Sequence, residues 1–274
     1  MTDWLIINGN LLRLSCFVIF FALLGLAELY RPKRLLTLPK RIRWLNNLAL
    51  VLFNNTLLKL LMPFLAIDAA LFAQQQHWGL IPSIANIYPS LSATFTITIC
   101  IILLDATIYL QHRLFHQIPL LWRLHRMHHS DLDIDVSTAI RFHPIEIILS
   151  MLIKIAVVIA LGAPVVAVIL FELLLNLTAM FSHSNIKLSV KFDRYLRYLF
   201  VTPDMHRVHH SINRSEANHN FGFCLPWWDR IFASYQDQPT MGHLNMQIGL
   251  PYFRQQQECQ IQRMLTQPFR QKVK

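Results

Sequence analysis

Thirteen histidines occur in this chain, and eight fall at spacings that helical geometry turns into chemistry. His112-Arg-Leu-Phe-His116 is a His-x3-His pair. His125-Arg-Met-His128-His129 and His206-Arg-Val-His209-His210 are His-x2-His-His triplets. On a helix, residues i, i+3 and i+4 share a face, so each motif presents its imidazoles in one direction. Neutral imidazole is the commonest protein metal ligand. Eight or nine are too many for one ion, since a tetrahedral zinc takes four. They suit two five- or six-coordinate ions held side by side, and imidazole by itself admits iron, zinc, copper or nickel. Isolated surface histidines are the competing reading, and two triplets plus a pair weigh against it. His183 stands alone in Phe181-Ser-His183-Ser-Asn185; single histidines are more often packed or hydrogen-bonded, but its place at the cap, just after the fourth apolar stretch, adds it as a ninth ligand.

Other chemistries lack their residues. Cys16, Cys100, Cys224 and Cys259 form no Cys-x-x-Cys pair, so neither a zinc-finger spacing nor a disulfide framework is present. No Gly-x-Ser-x-Gly elbow occurs. Glu216-Ala-Asn-His219 spells Glu-x-x-His once, whereas di-iron carboxylate bundles need it twice with further glutamates. Asp105 precedes His112 by two helical turns and shares its face. It is expected to orient a ligand imidazole, or to pair with Arg113. Asp204 before His206 suits the same task or a helix cap. His143 before Pro144 is a spare ligand or a hydrogen-bonded elbow. Arg113, Arg123, Arg126 and Arg207 are expected on the opposite helix faces, meeting lipid phosphates or one another.

The elements that must position these side chains are apolar. Hydrophobic types make up 54% of 274 residues and charged types 15%, against roughly 25% charged in soluble domains. That excludes a disordered chain. The net charge of +10 fits an anionic membrane surface rather than nucleic acid, given the apolar excess. Apolar runs lie at 11–30, within 45–72, and at 91–110. The third, at ~1.5 Å per residue, spans ~30 Å, one hydrocarbon core. A fourth stretch is interrupted at Gly162-Ala163-Pro164. It predicts two short helices, 147–161 and 165–181, forming a hairpin that dips into the bilayer and returns to the same side. Lys154 and Glu172 lie equally far from that turn and are expected to pair. The basic loop 31–44 sets a cytoplasmic side, which places all three histidine motifs there. The expected architecture is an all-α integral membrane protein, multi-pass, with a cytoplasmic histidine-rich helical cap. Its regions are an N-terminal transmembrane part (1–90), a catalytic domain (91–254) and a basic tail (255–274). The tail is expected to be solvated, membrane-facing or disordered.

These residues carry a resemblance. The three histidine motifs in this order, Asp105 ahead of them, Arg141-Phe-His-Pro144, Thr202-Pro-Asp204 and Trp227-Trp-Asp-Arg230 resemble the fatty acid hydroxylase / sterol desaturase superfamily of membrane-bound di-iron enzymes. The likeness covers roughly 91–254. One departure is Ala217-Asn-His219-Asn-Phe221-Gly222, where such proteins often carry Asp-x-Asn-Tyr-Gly. The resemblance implies two iron ions on the nine histidines, with zinc able to take their place in isolated protein. It also implies O2, a lipid substrate, an external electron donor in the form of a separate reductase or carrier, and hydroxylation or desaturation of a C–H bond. Two other classes compete. A zinc-dependent membrane hydrolase needs an open metal position and a carboxylate base, and His-Glu-x-x-His is absent. A non-enzymatic metal-binding membrane protein would favour ligands inside the spans, whereas these follow them.

Overall fold

The computed structural model describes residues 2–90 and 92–271, so Leu91 of the third run and residues 272–274 of the tail lie outside the described residues. Among the described residues the chain is helical, with isolated bridges and no strands. Five segments are long and apolar enough to cross a membrane: Ile7–Tyr30, Lys40–Ile84, Ala93–Gln117, Pro144–Leu161 and Val165–His183. They are built from α1 (Thr2–Tyr30), α2 (Lys40–Leu61), α3 (Ala66–Gln75), α4 (Leu80–Ile87) and α5 (Ala93–Gln117), then, after α6 (Pro119–His129), from α7 (Pro144–Leu161) and α8 (Val165–His183). The cap follows as α9 (Val190–Leu196), α10 (Pro203–His209), α11 (Arg214–Ala217), α12 (Trp227–Ile231), α13 (Gly242–Asn245) and α14 (Ile261–Thr266).

The second run breaks where Pro63 stands. Proline supplies no N–H and disfavours helix at the residue before it, so α2 ends at Leu61 and α3 begins at Ala66. Ala66, Ala69 and Ala70 then pack, fully buried, among Val158, Ala163 and Val165. Small side chains there let α3 lie close against α7 and α8.

The hairpin forms at the predicted turn, but its arms are 18 and 19 residues. At ~1.5 Å per residue each is ~27–28 Å long, so both arms are longer than expected and long enough to cross most of a hydrocarbon core. Pro144 at the first helical position and Gly162 in the left-handed region (φ 63°) set the limits of α7. A Cβ on Gly162 would lie 2.3 Å from the Trp78 carbonyl oxygen, so glycine is also what lets the segment before α4 approach.

Directions follow from three contacts. Arg13 of α1 pairs with Glu172 of α8, and Glu28 at the end of α1 accepts from the Asn185 N–H just beyond α8, at 2.9 Å. The two helices therefore run parallel. Lys154 of α7 reaches Glu172 at 3.0 Å, so α7 runs antiparallel to both. The ends of α1, α5 and α8 and the beginnings of α2 and α7 consequently meet at one end of the bundle, under the cap.

The basic loop is used internally. Arg43 is fully buried and holds Asp131 with two bonds of 2.7 and 2.8 Å, and also Asp135. Burial opposes the charge on Asp131, but Arg43 outweighs it and keeps that carboxyl below the usual carboxylate range. Lys33 pairs with Asp204 at 2.6 Å and Lys40 with Glu28 at 2.8 Å. The described part of the tail, up to residue 271, is likewise folded rather than solvated. Ser130 donates to Gln267 at 2.7 Å, Arg123 to the Pro268 carbonyl at 2.7 Å, and Arg270 pairs with Glu258.

Candidate metal centre

Each histidine motif is delivered by a helix end. His112 and His116 lie on the last turns of α5, which runs unbroken out of its apolar stretch. Ile118, extended before Pro119, turns the chain sharply into α6 and brings its face over α5. His125, His128 and His129 occupy that face. His183 is the last residue of α8. Thr202 caps α10 through its side chain, Pro203 opens it, and His206, His209 and the following His210 complete the set. All nine are at most 6% exposed.

The nine converge into two groups. One contains His112, His116, His125, His129 and His209; the other contains His128, His183, His206 and His210. Within each group the ligating nitrogens lie within 4.8 Å of one another. Each triplet serves both groups. In the first triplet the i and i+4 residues join the group of five and the i+3 residue joins the group of four. In the second triplet the assignment is exchanged. The groups touch: the His129 and His210 rings stack at 4.5 Å.

Protonation is fixed by what the outer nitrogens meet. Nδ1 of His112 donates to the Phe221 carbonyl at 2.7 Å, that of His128 to Arg141 at 3.2 Å, that of His183 to Ala179 at 2.7 Å, and that of His209 to His219 at 2.8 Å. A carbonyl oxygen only accepts, so each Nδ1 carries the proton and each Nε2 of the neutral ring is a bare lone pair. Yet Nε2 of His183 lies 3.1 Å from Nε2 of His128. Two lone pairs at that distance repel unless a cation lies between them. A charged ring would also relieve the contact, but burial, followed by the neighbouring imidazoles, holds His128 well below the ordinary histidine value. The same causes depress His129, His206, His209 and His210, and burial pushes His125 down to about 3. Nε2 of His209 and of His210 are buried without a hydrogen-bond partner.

The nitrogen spacing fits a metal. Nε2 of His112 and His125 are 3.0 Å apart, as are those of His183 and His206, and those of His116 and His129 are 3.1 Å apart. Adjacent ligands at ~2.1 Å around a six-coordinate ion stand ~3.0 Å apart, against ~3.4 Å in a tetrahedron.

Supporting residues differ in part from expectation. Asp105 touches none of the nine imidazoles. It accepts from the N–H groups of Cys224 and Leu225 at 3.2 and 3.1 Å, and from the Trp228 indole at 2.8 Å. Asp229 accepts from the N–H groups of Phe221 and Gly222, both at 2.8 Å. Together the two carboxylates hold the 221–225 loop, whose Phe221 carbonyl receives His112. Asp105 is therefore linked to the His112 imidazole only through that loop. Asp204 neither orients one of the nine imidazoles nor caps α10: Thr202 caps it, and Asp204 pairs with Arg207 and Lys33 and faces His243 at 3.8 Å. His143 is the elbow residue, accepting from Ile145 and bonded to the Leu265 carbonyl. His219 joins neither group, and its carbonyl serves His209. Arg126 and Arg207 are buried rather than lipid-facing.

The residue that sequence reasoning missed is Glu146. Its Oε1 lies 2.7 Å from Nδ1 of His125, the carboxylate–imidazole pairing that fixes a ligand's tautomer and raises its basicity. Its only sequence signal is a lone carboxylate in the first turn of an apolar helix, a place that the positive helix end favours by itself.

The class defined here is a bundle of helices long and apolar enough to cross a membrane that ends in two buried groups of imidazoles able to hold metal. The chain belongs to the fatty acid hydroxylase family, whose model matches residues 97–234, a stretch that contains all nine histidines. It is 28% identical over 145 residues to an ornithine lipid hydroxylase of Rhizobium tropici, covering 53% of this chain and 43% of that protein. It is 31% identical over 133 residues to the alkylglycerol monooxygenase of Homo sapiens, covering 48% of this chain and 28% of that one. The alkylglycerol monooxygenase of Danio rerio matches at 31% over 132 residues. The matched segments thus span less than half the length of these relatives. No solved structure matches significantly.

Proposed function

We propose that the chain is an O2-dependent oxidoreductase that hydroxylates a C–H bond of a membrane lipid, using two iron ions held by the nine histidines. The observation that carries this reading is the pair of abutting groups of buried imidazoles whose Nε2 lone pairs face one another. Membership of a family of lipid oxidising enzymes supports it. Bound iron supplies the oxidising power against an alkyl C–H that no amino-acid acid or base has. The balance is one C–H, one O2, two electrons and two protons giving one alcohol and one water. We assign the electrons to a separate reductase or carrier, and the cap to the cytoplasmic side.

The chain's own groups do the rest. Backbone carbonyls and Glu146 hold a proton on the outer nitrogen of their imidazoles, so the inner nitrogens stay available as donors. The cap and the 221–225 loop cover most of the cluster, whose histidines are at most 6% exposed. The histidines lie where the apolar helices end, so a lipid chain rising from the bilayer meets them at the interface. Zinc can occupy such a donor set in isolated protein without supporting the reaction.

Turnover under isotopically labelled O2, with a reductant, reconstituted iron and extracted lipids, tests the proposal. One labelled oxygen in the product is expected. A new double bond without label would indicate desaturation. Hydrolysed lipid formed equally well without O2 would remove the reading in favour of a zinc hydrolase.

A further inference from the structure

A cavity of about 310 Å³ opens on the surface beside the group of five. His116 and Phe221 lie at its floor, and Arg113, Gln117, Arg214 and Asn218 stand around it. It is lined by no carboxylate. Among the described residues neither guanidinium makes an ion pair, and Arg113 has only a long contact of 3.5 Å to the Tyr109 hydroxyl. Two acids on neighbouring cap segments are engaged elsewhere: Asp229 with Ser234 at 2.7 Å and Glu216 with the Thr240 N–H at 2.7 Å.

The cavity has an apolar approach. Leu110 and Leu114 are 48% and 46% exposed and lie on one stripe of α5 with Gln117 of the cavity wall. Ile231 and Phe232, 65% and 43% exposed, adjoin Ala233 on the other side of the mouth. Phe232 stacks on Tyr109 of α5 at 5.4 Å. An apolar track on the bilayer side thus leads to a cationic mouth that reaches a histidine of the cluster.

We infer that this mouth receives the anionic head, phosphate or carboxylate, of the lipid substrate, with Arg113 and Arg214 as its ligands and the hydrocarbon lying along Leu110, Leu114 and Phe232. The inference rests on the lipid-oxidising reading and narrows its substrate class: neutral lipids, such as sterols and diacylglycerols, lack the group that two unpaired guanidinium ions select. A guanidinium grips an oxyanion with two parallel N–H donors, so arginine is suited to the task and lysine is a weaker substitute.

Binding measured by native mass spectrometry on the full chain in detergent tests it, with dioleoyl phosphatidic acid, dioleoylglycerol and inorganic phosphate as probes. Phosphatidic acid is expected to bind at least about tenfold more tightly than dioleoylglycerol. Arg214→Gln should remove most of that preference, Arg214→Lys should keep part of it, and Arg31→Gln, an exposed cation elsewhere, should keep all of it. Metal content should be unchanged in Arg214→Gln, which confirms that the site itself is intact. Equal affinity for the anionic and neutral lipids, or an unaltered preference in Arg214→Gln, would overturn the inference. Inorganic phosphate binding as tightly as the lipid would also overturn it, by showing a site for a free anion. Because binding needs no turnover, these outcomes leave the hydroxylase reading standing, and failed turnover with intact lipid selectivity counts against that reading alone.

Discussion

His128 and His129 are neighbours in sequence and belong to different groups, as do His209 and His210. The i, i+3, i+4 pattern thus gives each triplet one residue or two to each group, tying both groups to both helices. Removing one imidazole should therefore injure one group and spare the other. His209→Ala should lower bound metal from two ions per chain toward one, and His210→Ala should do the same at the other position. Elemental analysis of folded protein reads both, and loss of all metal from either variant would show that the two groups are not separable. The depressed histidines also set a pH dependence in metal-free protein. Each has a folded-state pKa below its unfolded value of ~6.5, so the unfolded chain binds more protons as the pH falls. Stability should be flat above pH ~7 and fall progressively below ~6.5, the loss continuing toward the value of about 3 for His125. Melting curves of chelated protein from pH 8 to pH 4 check this, and an unchanged midpoint at pH 5 would contradict it.

The charged residues within the spans show how elements constrain one another. The hairpin turn predicts the meeting of Lys154 and Glu172, but α1 adds Arg13 to the same carboxylate. Glu172→Gln leaves two cations facing each other, whereas Lys154→Met leaves Glu172 its arginine. The first change should thus be the more damaging, by about 3 kcal/mol where a buried pair is broken. Adding Lys154→Met to Glu172→Gln should recover part of that loss, since it removes one of the stranded cations. Detergent unfolding curves of the three variants measure the coupling, and strict additivity would show that the trio does not act as a unit.

Across the whole molecule, the parallel course of α1 and α8 sets the beginning of α1 and the α3–α4 segment at the end of the bundle opposite the cap. Leu35, 92% exposed beside the cap, and Met241, 66% exposed on it, mark one end, and the exposed Gln76 marks the other. In a background without the native cysteines, Leu35→Cys and Met241→Cys should react with an impermeant thiol reagent from the same side of the membrane, and Gln76→Cys from the opposite side. Reaction of all three from one side would refute the layering. If the cap is cytoplasmic, as we propose, that shared side is the inner one.

The sequence alone determined what depends on spacing along one element. The three histidine motifs, the interrupted fourth stretch and the all-helical architecture were legible because helical period and span length are local properties. Tertiary structure decided what depends on which surfaces meet. The exchange of imidazoles between two groups, the pairing of Glu146 with His125 and the enclosure of Arg43 by Asp131 and Asp135 join residues far apart in the chain. Asp105 shows the limit of the periodic argument: it shares a helix face with His112, yet the 221–225 loop takes its hydrogen bonds. The tail shows the same limit from composition. Its charges read as solvated, but Glu258 neutralises Arg270 and backbone carbonyls of that segment receive Arg123 and Arg126. Charge content sets the cost of burying a segment, and only its partners in three dimensions decide whether that cost is met.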